Sequence, residues 1–418
     1  MVEIQTQSNS FSQIDQKIQE QLKPYYKEVD DIYHQCFKKV LNAFQQNKVS
    51  SYQLQPGFGY GLGDQGTQIT EAVFSSIFQS ENALVRPQIT SGSHALFLVL
   101  NALLFKGDLL LSVTGSPYET LKSCIGIQDQ YPGNLIEKGI LYNEINLIDT
   151  TKLTPDEIAI VQKSRLCWIQ KSRGYSNRKT ISSLDIKRIA ENIRSIHPSA
   201  IIAVDNCYGE FTERFEPIEC GADVCAGSFM KNPGGGIART GGYIVGKQIF
   251  IDRIASHLVA PGLGDEFMPN LGFTYEILLG LFHSPLTVRE SLKGNLYFSA
   301  FMDEMGFYTS PHWTEKHFDI VLEIRCKSKE NMDLFTQAVQ KCSPIDSHVR
   351  AEPFAQHGYK YPIIMAGGTF VPGSSIEFSA DGFYNPPYTL YFQPGLYAEQ
   401  TKIFAEYLWQ KMTKNNVW

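Results

Sequence analysis

Between Ala203 and Gly236 the chain reads A-V-D-N-C-Y-G-E-F and then A-D-V-C-A-G-S-F-M-K-N-P-G-G-G, so one apolar run stops on Asp205 and the next on Ser228 and Lys231. A short apolar run that ends on an acid fits a strand of a parallel sheet whose last residue leaves at the carboxyl edge, where open α/β folds bind ligands. Two such runs in succession bring both polar ends to one place. The spacing just before them predicts a helix over 183–196, with Ile186, Ile189, Ile193 and Ile196 on one side and a stop at His197-Pro198, then a strand over 200–205. Strand, helix and strand in alternation argue for an α/β fold with a mostly parallel sheet and helices on both faces.

An acid and a lysine 26 residues apart at the ends of consecutive strands are what a pyridoxal phosphate site requires. Asp205 would hold the pyridine nitrogen protonated, so that the ring can accept the electrons of a substrate carbanion. Lys231 would carry the covalent bond to the cofactor; burial and a neighbouring cation both favour the neutral amine that this needs. Ser228, three positions earlier, is close enough to offer its hydroxyl to the cofactor phosphate. Singly, Asp205 reads equally as a loop cap and Lys231 as a solvated surface residue, since most Asp and Lys are surface groups. Their pairing is the informative feature.

Further signals lie upstream. In L-V-R-P-Q-I-T-S-G-S-H-A-L-F-L-V-L a short strand runs into a small-residue turn and an apolar helix, so the amides of Gly92, Ser93 and His94 sit at a helix N-terminus. That is a ready phosphate site, or else an ordinary N-cap at Ser91 or Ser93. A helix over 69–79 precedes it. A strand over 108–114 leads to Tyr118, which begins a helix at the same end of the sheet. Strands over 139–147 and 165–171 follow, and Q-K-S-R-G-Y-S after the second puts Arg173 near that edge, beside the cofactor ring oxygen or a substrate carboxylate. Gly61, Gly63 and Gly66 form a formal G-x-G-x-x-G. No strand precedes it and no acid ends a strand about 20 residues on, so it reads as a glycine-rich turn and not as a dinucleotide site.

The two ends of the chain differ from this middle. Residues 1–50 read as helical arms, with Val29, Ile32, Tyr33, Cys36, Phe37, Val40, Leu41 and Phe44 in one stripe and Pro24 separating them from an earlier turn of Ile14, Ile18 and Leu22. The run G-G-Y-I-V-G is a further strand, and 247–300 is helical around a loop at A-P-G-L-G-D-E-F. Short strands at I-V-L-E-I-R-C, P-F-A-Q, I-I-M-A-G-G-T-F and Y-T-L-Y-F, with a closing helix over 396–412, predict a smaller C-terminal α+β domain. The expected organisation is an arm at 1–50, a large domain at 51–290 and a small domain at 291–418.

With 418 residues, 43% of them hydrophobic, and a net charge of −6, nothing recruits nucleic acid or an anionic membrane. Eight cysteines without a C-x-x-C pair suit neither a zinc site nor a disulfide framework, and the histidines show no H-E-x-x-H, so no metal is expected. A polar N-terminus without a signal peptide, and no apolar run of spanning length, point to the cytoplasm.

The runs G-S-F-M-K-N-P-G-G-G and V-D-N-C-Y-G-E-F resemble the methionine gamma-lyase and aluminium-resistance branch of the cysteine/methionine-metabolism pyridoxal phosphate enzymes. So do Y-G-L-G-D-Q-G at 60–66, L-V-R-P-Q-I-T-S-G-S-H-A at 84–95, S-R-G-Y-S at 172–176 and G-S-S-I-E-F-S-A-D-G at 373–382, in the same order, covering most of the chain from about residue 29. The resemblance implies a fold type I, transferase-like architecture: a doubly wound large domain with the cofactor, and a small α+β domain. It implies elimination from a sulfur-containing amino acid, the ring of Tyr118 stacked on the cofactor, and a homodimer or homotetramer with shared sites. In such an assembly Tyr60 would serve a neighbouring subunit's site, and the N-terminal arm would make a subunit contact. Thr67 and Asn385 stand where that branch often carries arginine, which removes two bidentate anion binders from the expected mouth of the site. Other pyridoxal phosphate chemistry (transaminase, racemase or decarboxylase), or a non-catalytic binding protein on the same scaffold, is compatible with the same Asp and Lys.

Overall fold

The structure, a computed structural model, describes residues 2–129, 131–176, 178–356, 359 and 361–414. It divides into two compact units, one of Cys36–Ser284 and one of Met1–Gln35 with Pro285–Trp418.

In the first unit seven strands form one sheet: β1 (Asn82–Arg86), β2 (Leu109–Ser112), β3 (Leu141–Glu144), β4 (Ser164–Gln170), β5 (Ile201–Asp205), β6 (Val224–Ser228) and β7 (Gly242–Gly246). Their order is β1-β7-β6-β5-β4-β2-β3. Neighbours from β3 to β6 are parallel, and β7 runs antiparallel to both β1 and β6. The sheet is therefore mostly parallel, with one reversed strand that G-G-Y-I-V-G alone does not announce.

The chain's helices are α1 (Val2–Gln46), α2 (Gln65–Phe78), α3 (Gly92–Leu103), α4 (Glu119–Ile125), α5 (Pro155–Lys163), α6 (Ser183–Ile196), α7 (Gln248–Leu258), α8 (Phe273–Glu304), α9 (Lys329–Lys341) and α10 (Ala398–Lys414). Because side chains alternate along a strand, each central strand serves two cores. Leu110, Leu166, Trp168, Ile201 and Ala203 pack with Leu96, Val99, Ile251 and Ile254 of α3 and α7. Leu111, Cys167, Ile169, Ile202 and Val204 pack with Val161 of α5 and with Ile186, Ile189 and Ile193 of α6. This is a doubly wound sheet with an apolar layer on each face. Helix α6 has the predicted bounds; Ser182 and Asp185 form a capping box at its start, which closes two orphan backbone donors.

The second unit has an antiparallel sheet of β8 (Thr309–Ser310), β9 (Leu322–Arg325), β10 (Ile363–Ala366), β11 (Ser379–Phe383) and β12 (Thr389–Gln393), in the order β10-β11-β12-β9-β8. Phe298, Phe378, Phe392 and Phe404 meet in its core, with ring centroids 4.8 to 5.5 Å apart among Phe298–Phe392, Phe298–Phe404, Phe378–Phe392 and Phe392–Phe404. The expected strand at P-F-A-Q is a single bridge from Phe354 to Ile363.

One expectation at the N-terminus fails outright. Pro24 does not separate two helices; it lies inside α1, which runs for 45 residues. Phe11, Ile18, Leu22, Val29, Cys36, Val40 and Ala43 are all buried, a spacing of three, four and seven that continues across the proline. Losing one backbone hydrogen bond and accommodating the ring costs about 3 kcal/mol, whereas each fully buried Ile, Leu or Val contributes roughly 1.5–3 kcal/mol. The uninterrupted apolar face outweighs the breaker.

Candidate active site

At the carboxyl edge of the large sheet, β5 ends on Asp205, which pairs in register with Gln170 of β4 and Ala226 of β6. Asp205 is buried, and its Oδ1 accepts the Cys207 amide at 3.0 Å. Burial raises its carboxyl above the usual range, while the Lys231 charge draws it back. Lys231 does not end a strand: β6 stops at Ser228, and the lysine follows three residues later at the head of a short 3-10 turn, Asn232–Gly234. There it is half-buried, with Nζ 4.1 Å from the centroid of the Tyr208 ring. Burial pulls its ammonium pKa down, but the negative charges that Cys207, Tyr208 and Asp205 carry when ionised more than reverse this, leaving it raised.

Helix α3 points its first turn at the same place. A Cβ added at Gly92 would lie 2.9 Å from the Ser228 Cβ and 3.5 Å from the Cys207 sulfur, so only glycine lets the helix start come this close to the end of β6. The result is a cradle of first-turn amides beside a serine hydroxyl, the donor set that suits a phosphate. Ser228 Oγ accepts the Met230 amide at 3.2 Å, which leaves its own proton to donate elsewhere. Ser93 Oγ lies 2.9 Å from the Tyr118 hydroxyl. The His94 amide is already taken: it donates to Ser91 Oγ at 3.1 Å, because Ser91 is the N-cap. The His94 ring, lowered in pKa by burial, turns back to the Thr90 amide.

Tyr118 is the N-cap residue of α4, half-buried, and its amide donates to Gln170 Oε1 at 2.9 Å. Burial, then the Asp205 charge, push its phenol pKa up, so it stays neutral. Arg173 is buried three residues past the end of β4, and Ser176 Oγ donates to its carbonyl at 2.6 Å. Tyr60 lies on another loop, 77% exposed, edge-on to Phe267 at 6.2 Å between centroids. Its loop is anchored by Asp64, which accepts from Asn270 Nδ2 at 2.8 Å and from the Thr67 amide at 2.9 Å. Gly61 is required there: φ is +74°, and a Cβ would lie 2.4 Å from the Pro269 nitrogen. Thr67 is buried in the first turn of α2; Asn385, in the other unit, donates to the Pro386 carbonyl at 3.1 Å.

Several residues at this edge escape a reading of the sequence. Gln170 holds the Tyr118 backbone, Asn232 binds the turn after β5, and Arg178 donates to the Gln170 carbonyl at 2.7 Å and to the Ser172 carbonyl. Next to them lies a buried polar network. Lys171 pairs with Glu213 at 3.0 Å, Asn206 Nδ2 donates to Glu216 at 2.9 Å, and the Tyr243 hydroxyl donates to Glu210 at 2.8 Å.

A doubly wound sheet with an acid and a lysine at its carboxyl edge is the architecture of a fold type I enzyme, and relatives of known structure put the chain in the carbon–sulfur lyase class. The chain belongs to the methionine gamma-lyase family, whose model matches residues 11–413. It is 40% identical to the Bacillus subtilis protein YnbB over 374 residues, 89% of each chain. A carbon-sulfur lyase involved in aluminium resistance from Clostridium novyi has a similar structure, with 37% identity, a TM-score of 0.91 and coverage of 97% of this chain and 96% of that one. A Listeria innocua protein solved as a candidate cystathionine beta-lyase involved in aluminium resistance gives 39% identity and a TM-score of 0.92, covering 96% of this chain and 98% of that one. Cystathionine gamma synthase from Xanthomonas oryzae, at 13% identity and a TM-score of 0.60 over 92% of this chain and 98% of that one, shares the fold.

Proposed function

We propose that this protein is a pyridoxal phosphate-dependent lyase that removes a thiol from a sulfur-containing amino acid by β- or γ-elimination, leaving a 2-oxo acid and ammonia. The observation that carries this reading is the convergence of Asp205, Lys231 and the Gly92–Ser228 cradle at one sheet edge, in a chain of this family. The residues fit the cofactor: the cradle would take its phosphate, Asp205 its ring nitrogen, the Tyr118 ring its face, and Lys231 its aldehyde. When bound, pyridoxal phosphate supplies the electron sink for a carbanion. Lys231 does the proton work, taking the α-hydrogen as an amine and passing a proton on as an ammonium. Asp205 keeps its charge against the ring nitrogen, and Arg173 would orient the substrate carboxylate or the ring oxygen. In net terms the C–S bond breaks, sulfur leaves as the thiol, and water converts the remaining fragment to the 2-oxo acid and ammonia.

We further propose a large cofactor domain at 51–290 between an arm at 1–50 and a small domain at 291–418, a cytoplasmic location, and a homodimer or homotetramer in which Tyr60 completes a neighbour's site. The exposure of Phe58 and Tyr60 on one loop, 75% and 77%, supports such a contact. Among the described residues no helix is long and apolar enough to cross a membrane.

The purified protein with pyridoxal phosphate should absorb in the visible, and borohydride should fix the cofactor to Lys231. Lys231→Ala should lose both properties. A screen of amino acids should then yield a thiol and a 2-oxo acid without any amino acceptor. A visible band that survives in Lys231→Ala removes the reading.

A further inference from the structure

The turn after β5 carries two non-glycine residues in the left-handed region, Tyr208 at φ +71° and Phe211 at φ +61°. Side chains rarely adopt that conformation, and it persists only where surrounding bonds enforce it. The enforcing group is Asn232. Its Nδ2 donates to the Tyr208 carbonyl at 3.0 Å and to the Glu210 carbonyl at 2.9 Å, while Gly209 closes onto the Asn206 carbonyl at 2.8 Å. Asn232 is fully buried, and its own carbonyl accepts from Ser284 Oγ at 2.5 Å. It is also the residue directly after Lys231. One side-chain amide thus fixes the Tyr208 backbone relative to the lysine, and the ring so placed faces the ammonium at 4.1 Å.

We propose that Tyr208 is a positioning residue whose ring face is the resting seat of the Lys231 ammonium, held in register with that lysine by Asn232. This rests on the reading of Lys231 as the cofactor lysine and adds what that reading leaves open: where the side chain goes when it carries a proton. The negative face of an aromatic ring attracts a cation and not a neutral amine, so the seat holds the protonated lysine and releases the amine. Other groups face Lys231 from each side. They are Asp205 at the end of β5, Cys207 on the same turn, Tyr118 at the head of α4 and Glu210 two residues beyond the ring. Burial raises the Cys207 thiol and the Tyr118 phenol, and raises Glu210 to about 8, so near neutral pH these three carry no charge. Asp205 supplies the counter-charge and the ring supplies the place.

The test reads the lysine directly and without cofactor. Full-length protein stripped of pyridoxal phosphate is labelled with acetic anhydride across a pH series, and modification of Lys231 is followed by mass spectrometry against Lys171 as an internal control for folding. Tyr208→Phe keeps the ring and loses only the ionisable hydroxyl, so it should move the midpoint by clearly less than removal of the ring does. Tyr208→Asn tolerates the left-handed backbone without the ring. It should move the midpoint down by about one pH unit, the size of a partly desolvated cation–π contact. A series of increasingly fluorinated phenylalanines at position 208 keeps the shape of Tyr208→Phe and drains charge from the ring face, so its midpoints should fall stepwise. A flat fluorine series overturns the proposal, as does a Tyr208→Phe shift as large as that of Tyr208→Asn, which would assign the effect to the hydroxyl. Cofactor attachment plays no part in this measurement. A failed visible band and a failed seat are therefore separate results.

Discussion

Glu210 offers the sharpest test of the buried chemistry beside the site. Its side chain is fully buried, with the Tyr243 hydroxyl donating to Oε1 at 2.8 Å and no partner on Oε2 among the described residues. Burial, reinforced by the Glu216 charge and opposed by the Tyr243 hydroxyl and Lys231, raises its pKa from 4.5 to about 8. The sign follows from proton counting. Between those values the folded chain keeps a proton that the unfolded chain has released, so this carboxyl makes the protein less stable with each step up in pH, and the loss levels off above about 8. A gap of about 3.5 pH units at 1.36 kcal/mol per unit sets the full effect at about 5 kcal/mol. Glu210→Gln keeps the neutral shape and an acceptor for Tyr243 but cannot ionise. Urea unfolding of both chains, with saturating pyridoxal phosphate, should give similar stabilities near pH 4.5, and a gap in favour of the variant that grows by several kcal/mol towards pH 8. Parallel stability curves for the two chains would mean that burial does not hold Glu210 protonated.

Two further outcomes are expected. Asp205→Asn keeps size and a hydrogen bond but loses the charge that would face the ring nitrogen in the proposed site, so turnover should fall by two or more orders of magnitude, about 3 kcal/mol of barrier, while cofactor content, read by absorbance, changes little. If Tyr60 serves a neighbour's site, a hybrid of a Lys231→Ala chain with a Tyr60→Ala chain has one site with both defects and one with none, and verified hybrids should recover about half of the wild-type activity. Hybrids that stay as inactive as their parents would leave Tyr60 a local residue.

The candidate site at the sheet edge was legible because its strands are buried on both faces and read as apolar runs, which makes their polar ends, Asp205 and Ser228, conspicuous. Helix α6 was legible for a similar reason: isoleucines at helical spacing, a serine cap and a proline just past its end. Other features need contacts that lie far apart in sequence. Nothing local tells β7 to run backwards, since a short apolar strand reads alike in either direction. Helix α1 continues through Pro24 because of burial that its neighbours provide. Nothing local in the sequence marks Lys171, Glu210 and Glu216 as buried, since the fold alone closes over them, and the left-handed backbone of Tyr208 depends on Asn232, 24 residues later. Gln170 falls inside the strand expected over 165–171; its role as a backbone clamp appears only when Tyr118 is brought to it.

The reversed strand has a consequence for how the chain is made. Among the described residues strand β1 pairs with β7 alone, so Asn82 waits for Gly246, 164 residues further on, before its edge is paired. At ribosomal speeds of about 5–20 residues per second, that wait lasts roughly 10–30 s. Throughout it β1, apolar and unpaired, and the outer edge of β6, once that strand exists, are both open templates for a stray strand. The last strand of the sheet to leave the ribosome is the one that closes both edges at once.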